Sequence, residues 1–167
     1  MEDKEFCIID GIKVYADDLS VEFANFAAKA GLKSAIQIIE NFGGEQFYVP
    51  QFSLFVEALR NKPNHEESDC KEFCIADGVK ITTADLPKQL REMANIIGLK
   101  QTLTFIDYIN YGSQLYIPNL KPILARARHN RIRQDFKDGA GYKELARKYK
   151  VSEVWIREVT KPQKAQA

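Results

Sequence analysis

The chain contains one long segment twice, and this repeat limits its fold more than any other feature. Lys4–Ile8 reads KEFCI and returns as Lys71–Ile75, and at an offset of 67 fifteen of the forty positions from residue 4 to residue 43 are identical. The offset then becomes 68, which aligns GGEQFYVP at Gly43–Pro50 with YGSQLYIP at Tyr111–Pro118. The repeat indicates an internal duplication, so we expect one small unit to be built twice.

Each copy predicts the same order of elements. An Asp-Gly pair, Asp10-Gly11 or Asp77-Gly78, divides an apolar run into a β-hairpin, because both central residues of a type I′ turn need positive φ. Two helices follow, each with one apolar face. Gly31 and Gly98 separate them, and an αL cap is expected at each glycine.

A short strand is predicted after the second helix of each copy, at Gln46–Val49 and Gln114–Ile117. A four-residue strand cannot stand alone, because its amides and carbonyls need partners. Two arrangements satisfy this need. The two strands pair antiparallel within the chain about a pseudo-twofold axis, or each pairs with a second protein molecule. Earlier in each copy, Asp18 and Asp85 are expected to act as N-caps of the first helix.

Positive charge is concentrated at the C-terminal end. The whole chain has a net charge of +1, but residues 126–167 contain 12 Lys and Arg against 5 Asp and Glu, which gives +7. Residues 1–125 have a net charge of −6. This distribution is typical of a protein whose partner is negatively charged, most often nucleic acid, although a solvated basic helix has the same composition.

The stretch Tyr142–Lys161, YKELARKYKVSEVWIREVTK, predicts a helix-turn-helix. Ala146 is small enough to lie where the two helices touch, and Ser152 can cap the second helix. Lys150 stands where the turn usually has glycine, at a cost of about 1–2 kcal/mol in αL. The alternative is a helical hairpin that only packs on the body. The predicted core positions are Leu145, Tyr149, Val151, Ile156 and Val159.

The predicted fold class is mainly α with short β-strands. Tandem helix–helix–strand repeats form a pseudo-dimeric body, and a C-terminal helix-turn-helix follows. The expected domains are a first repeat at 1–60, a linker at 61–70, a second repeat at 71–124, the helix-turn-helix at 125–161 and a disordered tail at 162–167.

Composition argues against several other classes of protein. With 45% hydrophobic residues the chain can form a core, and no apolar run is long enough to cross a membrane. A charged start and three cysteines favour a cytoplasmic, reducing environment. His65, Cys70 and Cys74 are too few for a structural zinc site, so no metal or other cofactor is expected. No arrangement of base and nucleophile is evident, which argues against an enzyme.

Three stretches resemble the Mor/C family of phage transcription activators, the middle operon regulators. They are NFGGEQFYVP at Asn41–Pro50, YGSQLYIP, and the segment Arg131–Lys161. The resemblance extends over Leu86–Lys161, whereas the first copy matches only through its helices and strand. The two Asp-Gly hairpins lie outside what the family is expected to contain.

The resemblance implies a fold and a function. Members of this family are homodimers whose helix–helix–strand units intertwine through paired strands, and each subunit carries a helix-turn-helix. They bind phage promoters and recruit the host RNA polymerase. The strand pair would lie over the minor groove, placing Tyr48 and Tyr116 near DNA. Gly43-Gly44 matches the family's glycine pair, but Tyr111-Gly112 departs from it.

The first functional hypothesis is sequence-specific binding of double-stranded DNA by a phage or prophage transcription regulator. The second helix of the helix-turn-helix, Val154–Lys161, would enter the major groove. There Arg157 can donate hydrogen bonds to a guanine, and Val154 can contact a thymine methyl. Glu153 and Glu158 either accept from cytosine or are solvated. The predicted base-reading residues are Ser152, Glu153, Val154, Arg157, Glu158 and Lys161. The predicted phosphate contacts are Arg128, Arg131, Tyr142, Lys143 and Lys148.

The alternative hypothesis is a protein-interaction module, an inhibitor or adaptor that keeps the fold without promoter binding. This hypothesis rests on the numbers of the two kinds of unit. The chain has two dimerisation units but one helix-turn-helix, whereas a symmetric operator needs two DNA-reading domains. Either two chains associate as a further homodimer, or the protein does not act as an ordinary activator.

Overall fold

The computed structural model describes residues 4–62, 72–109 and 112–161. Over these ranges the chain is mainly helical with short antiparallel strands. The first half contains β1 (Phe6–Ile9), β2 (Ile12–Tyr15), a 3₁₀ turn (Ala16–Asp18), α1 (Val21–Ala30), α2 (Leu32–Phe42), β3 (Gln46–Val49) and α3 (Phe52–Arg60). The second half contains β4 (Cys74–Ala76), β5 (Val79–Ile81), a 3₁₀ turn (Thr83–Asp85), α4 (Lys88–Ile97), α5 (Leu99–Ile109) and β6 (Ser113–Tyr116). The C-terminal part contains α6 (Leu120–Lys137), α7 (Tyr142–Tyr149) and α8 (Glu153–Thr160).

Three sequence predictions fall largely or wholly on residues outside these ranges. They concern most of the linker, the tail at 162–167, and the weighed zinc ligands His65 and Cys70.

Both Asp-Gly pairs form the predicted two-residue turns. The backbone φ angles are 50° at Asp10 and 74° at Gly11, and 47° at Asp77 and 77° at Gly78. In each hairpin the residues that flank the turn face each other, Ile9 opposite Ile12 in the first. Positive φ at both central positions matches the right-handed twist of the strands, so these turns fix the register of both hairpins.

The helix caps differ from the prediction. Asp18 and Asp85 are not N-caps of α1 and α4. Each carboxylate instead accepts a hydrogen bond from a backbone N–H three residues earlier, that of Tyr15 at 3.0 Å and that of Thr82 at 2.9 Å. In each half a 3₁₀ turn lies between the hairpin and the helix, so the carboxylate lies before the helix and not at its N-cap. The carboxylate closes a capping box at the start of that 3₁₀ turn.

Gly31 and Gly98 end their helices, but not as αL caps. Gly31 has φ 89° and ψ 145°, and Gly98 has φ 91° and ψ 154°. Because the next helix begins at the following residue, the chain must reverse direction within a single position. The extended ψ combined with a positive φ produces that reversal, and glycine tolerates it at low cost.

The strands β3 and β6 pair antiparallel within the chain, as in the first of the two arrangements considered from the sequence. Phe47 lies opposite Leu115, which occupies the equivalent position of the second copy at the offset of 68. Gln46 faces Tyr116 and Tyr48 faces Gln114, so the pairs on either side of the centre are also exchanged. The register therefore relates the two strands by a local twofold axis between Phe47 and Leu115.

Each helix that follows this strand pair packs on the hairpin of the opposite half. The helix α3 leaves β3 and contacts β5, whereas α6 leaves β6 and contacts β2. Aromatic packing also crosses the halves: the ring of Phe105 in α5 lies 6.3 Å from that of Phe23 and 5.3 Å from that of Phe26 in α1. The two halves therefore share one hydrophobic core, and neither has a complete core alone.

The glycine pair after α2 is required by a close approach of the backbone. A Cβ atom at Gly43 would lie 2.6 Å from the Ile39 carbonyl oxygen and 3.1 Å from that of Pro118. Gly44 has φ 91° and donates its N–H to the Ile117 carbonyl at 2.9 Å. Any side chain at Gly43 would therefore push α2 away from the segment that follows β6.

The long helix α6 joins two hydrophobic cores. Ile123 and Ala127 are buried in the shared core. Further along the same helix, Ile132 is buried in a smaller second core. The helix runs without a break across residue 125, where the sequence places the start of the C-terminal domain. The buried members of the second core are Ile132, Leu145, Ile156 and Val159.

A buried carboxylate ties α6 to the first half. Asp18 is fully buried and its Oδ1 accepts from the Asn130 side chain at 2.7 Å. An Arg131 guanidinium nitrogen lies 3.5 Å from the same oxygen, and that guanidinium covers the Tyr15 ring at 4.3 Å. Because a buried carboxylate needs such partners, Asp18 fixes the position of the helix that carries the C-terminal segment.

We expect Asp18→Ala to lower the free energy of unfolding by about 2–4 kcal/mol, because it leaves buried donors unpaired. The matched control is Asp85→Ala, which removes the equivalent carboxylate, whose Oδ1 lies 3.8 Å from the Lys62 ammonium. Its loss should be about 1 kcal/mol. Urea denaturation measures both, and equal losses would contradict the anchoring role of Asp18.

We expect Lys150→Gly to raise the melting temperature by about 2–4 °C, because Lys150 has φ 54° and ψ 49° and glycine avoids the αL cost. Arg147→Gly is the control: Arg147 is an exposed residue within α7, where glycine should destabilise the helix. A drop in melting temperature for Lys150→Gly would show that the turn is not built in this way.

Candidate nucleic-acid interface

The basic segment forms two short helices joined by a tight turn. The helix α7 ends at Tyr149, Lys150 adopts αL, and the Val151 N–H donates to the Ala146 carbonyl at 3.0 Å. The Ser152 hydroxyl oxygen then accepts from the Trp155 N–H at 3.2 Å and caps α8. Both the αL residue and the cap are at the positions that the sequence predicts.

The outer face of α8 is exposed to solvent. Val154 is 70% exposed. The Arg157 side chain is 61% exposed and the Lys161 side chain 64%. Ile156 and Val159 face inward and are buried. The predicted base-reading residues therefore lie on one accessible side, apart from the capping hydroxyl of Ser152.

Two ion pairs lie along this outer face. Arg157 and Glu153 approach to 4.0 Å one helical turn apart, and the Lys161 ammonium lies 2.6 Å from the Glu158 carboxylate. Pairs this exposed contribute little to stability, because water screens them. They do reduce the net positive charge of the face. Charge alone would therefore not be enough for this face to recognise a ligand.

A network of polar groups holds α7 against α6. The Asp135 carboxylate accepts from the Lys148 ammonium at 2.6 Å and from the Tyr149 hydroxyl at 2.7 Å. Burial would raise the pKa of Asp135, but these two hydrogen bonds together with the charges of Lys148 and Arg131 more than offset it, so its pKa lies below the ordinary value. Burial, followed by the Asp135 contact, raises the pKa of Tyr149. Lys148, a predicted phosphate contact, is thus also a structural partner.

The other predicted phosphate contacts differ in accessibility. Lys143 and Tyr142 are exposed at the start of α7, and the Tyr142 ring stacks on Phe136 at 5.1 Å. Arg128 and Arg131 lie on α6 and are only partly exposed, and Arg131 is already paired with Asp18. The structure brings Arg128, Arg131 and Lys148 together in the lining of one groove, to which Tyr142 and Lys143 do not belong.

Trp155 packs within the C-terminal part. Its ring lies 5.3 Å from that of His129, edge to face, between α8 and α6. Burial, followed by the charges of Arg133 and Arg128, lowers the pKa of His129. Arg133 also donates from Nε to the Val159 carbonyl at 2.9 Å, which fixes the end of α8 on α6. This bond could not be predicted from the sequence, because it depends on how the helices pack.

The strand pair presents two tyrosines to solvent. Tyr48 is 56% exposed and Tyr116 52%, and both lie on the face opposite the buried Phe47 and Val49. The Asn119 amide donates to the Tyr116 hydroxyl at 3.0 Å. Related by the pseudo-twofold axis, the tyrosines form a small aromatic surface whose edges can donate and accept hydrogen bonds.

Neither a metal site nor a membrane helix is found in the part of the chain that the structure describes. Over residues 4–62, 72–109 and 112–161 no three His, Cys, Asp or Glu side chains come together in a way that could hold a metal ion. Within the same ranges no helix is both long and apolar enough to span a membrane.

Comparison with known proteins identifies one family. A model of the Mor transcription activator family matches residues 74–167. The match begins at Cys74 and so includes the hairpin of β4 and β5, which corrects the expectation that both hairpins lie outside the family; residues 1–73 are not part of it. No curated protein and no solved structure matches the chain significantly. Because the match covers more than half of the chain, the protein belongs to the Mor transcription activator family.

Proposed function

We propose that the protein regulates transcription by binding double-stranded DNA sequence-specifically, with α7 and α8 acting as a helix-turn-helix. Membership of a family of transcription activators supports a regulatory role at DNA. The observation that carries the finer proposal is the outer face of α8, where Val154 is 70% exposed beside Arg157 on a helix that is fixed on its other side. A helix of this kind fits the major groove.

In this proposal the exposed residues of α8 read bases. Arg157 donates to the O6 and N7 atoms of a guanine, and Val154 contacts a thymine methyl. To do so Arg157 must leave both Glu153, at 4.0 Å, and the Tyr142 ring, whose centroid lies 5.3 Å from the guanidinium carbon. Glu158, paired with Lys161, stays solvated. Ser152 caps the start of the helix. From this position it would contact the DNA.

Phosphate contacts would position the module without specifying sequence. Tyr142 and Lys143 at the start of α7 are the most accessible of the predicted contacts. Lys148 adds charge beside them although it also bonds Asp135. Arg128 and Arg131 remain predicted phosphate contacts from the neighbouring helix α6.

The paired strands are proposed as a second contact, over the minor groove. The support is the exposure of Tyr48 and Tyr116 on one face of a two-stranded sheet whose opposite face carries the buried Phe47 and Val49. A narrow ribbon with hydrogen-bonding tips can lie against a minor groove, where readout distinguishes mainly A·T from G·C pairs.

Each chain has one helix-turn-helix on a pseudo-twofold body, and this number determines how many chains an operator would need. The helix α3 ends at Arg60, whereas its equivalent α6 continues to Lys137 and leads into α7 and α8. A symmetric operator would therefore need two chains, and a single chain could occupy only an asymmetric site. Recruitment of host RNA polymerase belongs to the same proposal.

A second candidate function is supported by the charge of the body. Residues 1–125 have a net charge of −6, which would repel DNA beyond the C-terminal module. A protein-interaction module, acting as inhibitor or adaptor, fits that distribution. A gel-shift assay with random duplex DNA at low salt separates the two functions, because absence of retardation at micromolar protein would favour the interaction module.

We expect Arg157→Ala to weaken binding to the specific site by about 1–3 kcal/mol and to leave non-specific binding nearly unchanged. The contrasting variant is Lys143→Ala, which should weaken binding to all sequences alike and reduce the salt slope by about 1. Fluorescence anisotropy over a range of salt concentrations measures both. Equal losses on specific and random DNA for Arg157→Ala would reduce Arg157 to a phosphate contact.

We expect Tyr48→Ala and Tyr116→Ala each to weaken DNA binding by about three- to tenfold without changing the melting temperature, because both side chains are exposed. Leu54→Ala is the control, since Leu54 is 59% exposed on α3, away from the strand pair. Unchanged affinity in both tyrosine variants would remove the strands from the DNA interface.

A further inference from the structure

A groove of about 800 Å³ opens between the first hairpin and the helices α6 and α7. The hairpin belongs to the first half of the chain, whereas both helices follow the second half, so the groove exists only because α6 packs on β2. Its lining residues are Asp10, Gly11, Ile12, Lys13, Tyr15, Arg128, Arg131, Gln134, Asp135, Lys148, Tyr149 and Lys150.

The lining of the groove is positively charged. It contains five Lys or Arg side chains and two carboxylates. One of the carboxylates, that of Asp135, already accepts hydrogen bonds from Lys148 and Tyr149. The remaining cations therefore exceed the acceptors that the groove itself provides, and an anion would be attracted to it.

Two donors at the groove have no acceptor. Within the described residues, the Nε atoms of Arg128 and Arg131 are the buried side-chain nitrogens or oxygens without a hydrogen-bond partner. A buried donor left unpaired costs free energy, so the fold does not fully satisfy the side chains of these two arginines. Both arginines line the same groove, so one ligand could satisfy both.

The equivalent junction in the other half shows how the space is closed without a ligand. Arg60 on α3 is the counterpart of Arg128 at the offset of 68, and Asp77 is the counterpart of Asp10 at the offset of 67. Arg60 donates to the Asp77 carbonyl at 3.0 Å and so binds its helix directly to the hairpin turn. Arg128 and Asp10 instead both line the open groove.

We propose that this groove binds a phosphate group, with the guanidinium groups of Arg128 and Arg131 as its central donors. A phosphate offers several acceptor oxygens and up to two negative charges, and guanidinium groups bind it with directed, charge-assisted hydrogen bonds. Lys13, Lys148 and Lys150 add positive charge around the site. The groove is larger than one phosphate, so a small phosphorylated molecule fits, and so does a phosphate of the DNA backbone.

Binding there would connect the hairpin to the C-terminal helices. Lys13 lies on β2, Arg128 and Arg131 on α6, and Lys150 in the turn between α7 and α8. A phosphate bonded to groups on all three would hold the turn before α8 against the first half of the chain. Occupancy of the groove would therefore stabilise one position of α8 relative to the body.

The first experiment uses the full chain without DNA, so it does not depend on the proposed function. Inorganic phosphate is titrated at constant ionic strength while the arginine Nε–H signals are followed by NMR. Two of these signals, absent respectively in Arg128→Gln and Arg131→Gln, should shift saturably. The melting temperature should rise by about 3–5 °C at tenfold excess over the Kd. No saturable shift of either signal would overturn the proposal.

The matched control is Arg60→Gln, at the equivalent closed junction. Arg128→Gln should lose the phosphate-dependent rise in melting temperature, and Arg60→Gln should keep it. If Arg128→Gln is too unstable to measure, Lys13→Gln tests the hairpin side of the same groove and should weaken phosphate binding severalfold. An equal rise in all three variants would show a general salt effect and overturn the site.

A second arm distinguishes the two sources of phosphate. If the DNA backbone occupies the groove, inorganic phosphate should compete with DNA and Arg128→Gln should reduce the salt slope of DNA binding by about 1. If a small phosphorylated molecule occupies it, phosphate should bind the protein–DNA complex as well and the slope should be unchanged. Both results support the phosphate site and assign its ligand.

Discussion

The pairing of β3 with β6 is the interaction on which the rest of the structure depends. Each strand has four residues, too few to form a sheet alone, and each would leave its backbone groups unpaired without the other. The central pair is Phe47 with Leu115, two equivalent residues, so the pairing also imposes the pseudo-twofold axis. Once that axis is set, each following helix is directed towards the hairpin of the opposite half. The shared core, with Phe105 between Phe23 and Phe26, is the consequence.

The functional interest of the fold lies where the symmetry fails. At one junction α3 stops at Arg60, whose guanidinium bonds the hairpin turn. At the other, α6 passes the hairpin and continues to α7 and α8, and the buried Asp18 bonds it through Asn130 and Arg131. The second junction thus connects the body to the C-terminal helices through the fully buried Asp18, whereas the first pairs the exposed Lys62 with Asp85, whose side chain is 9% exposed. A groove with unpaired arginine donors remains beside it.

Features encoded by neighbouring residues could be predicted from the sequence, and features created by packing could not. The Asp-Gly turns, the αL position of Lys150 and the Ser152 cap each depend on a few adjacent residues with specific backbone preferences. The strands could be placed because their need for partners is general. Asp18 and Asp85 are not helix caps, because an unpredicted 3₁₀ turn separates each from its helix, and the further bonds of Asp18 to Asn130 and Arg131 depend on packing. The groove was missed for the same reason, because its lining comes from both halves.

The charge distribution limits how a DNA complex of this kind can form. The outer face of α8 pairs two of its cations with its own glutamates, so its attraction to phosphates is modest at long range. The more concentrated positive charge lies on α6 and the turn before α8, next to the first hairpin. Encounter would therefore be governed by that region, and α8 would add discrimination only at short range, once Arg157 exchanges Glu153 for a base. Affinity would then depend mainly on α6 and the turn before α8, and specificity on α8. Changes in the first region could alter the salt dependence of binding without altering the DNA sequence that is recognised.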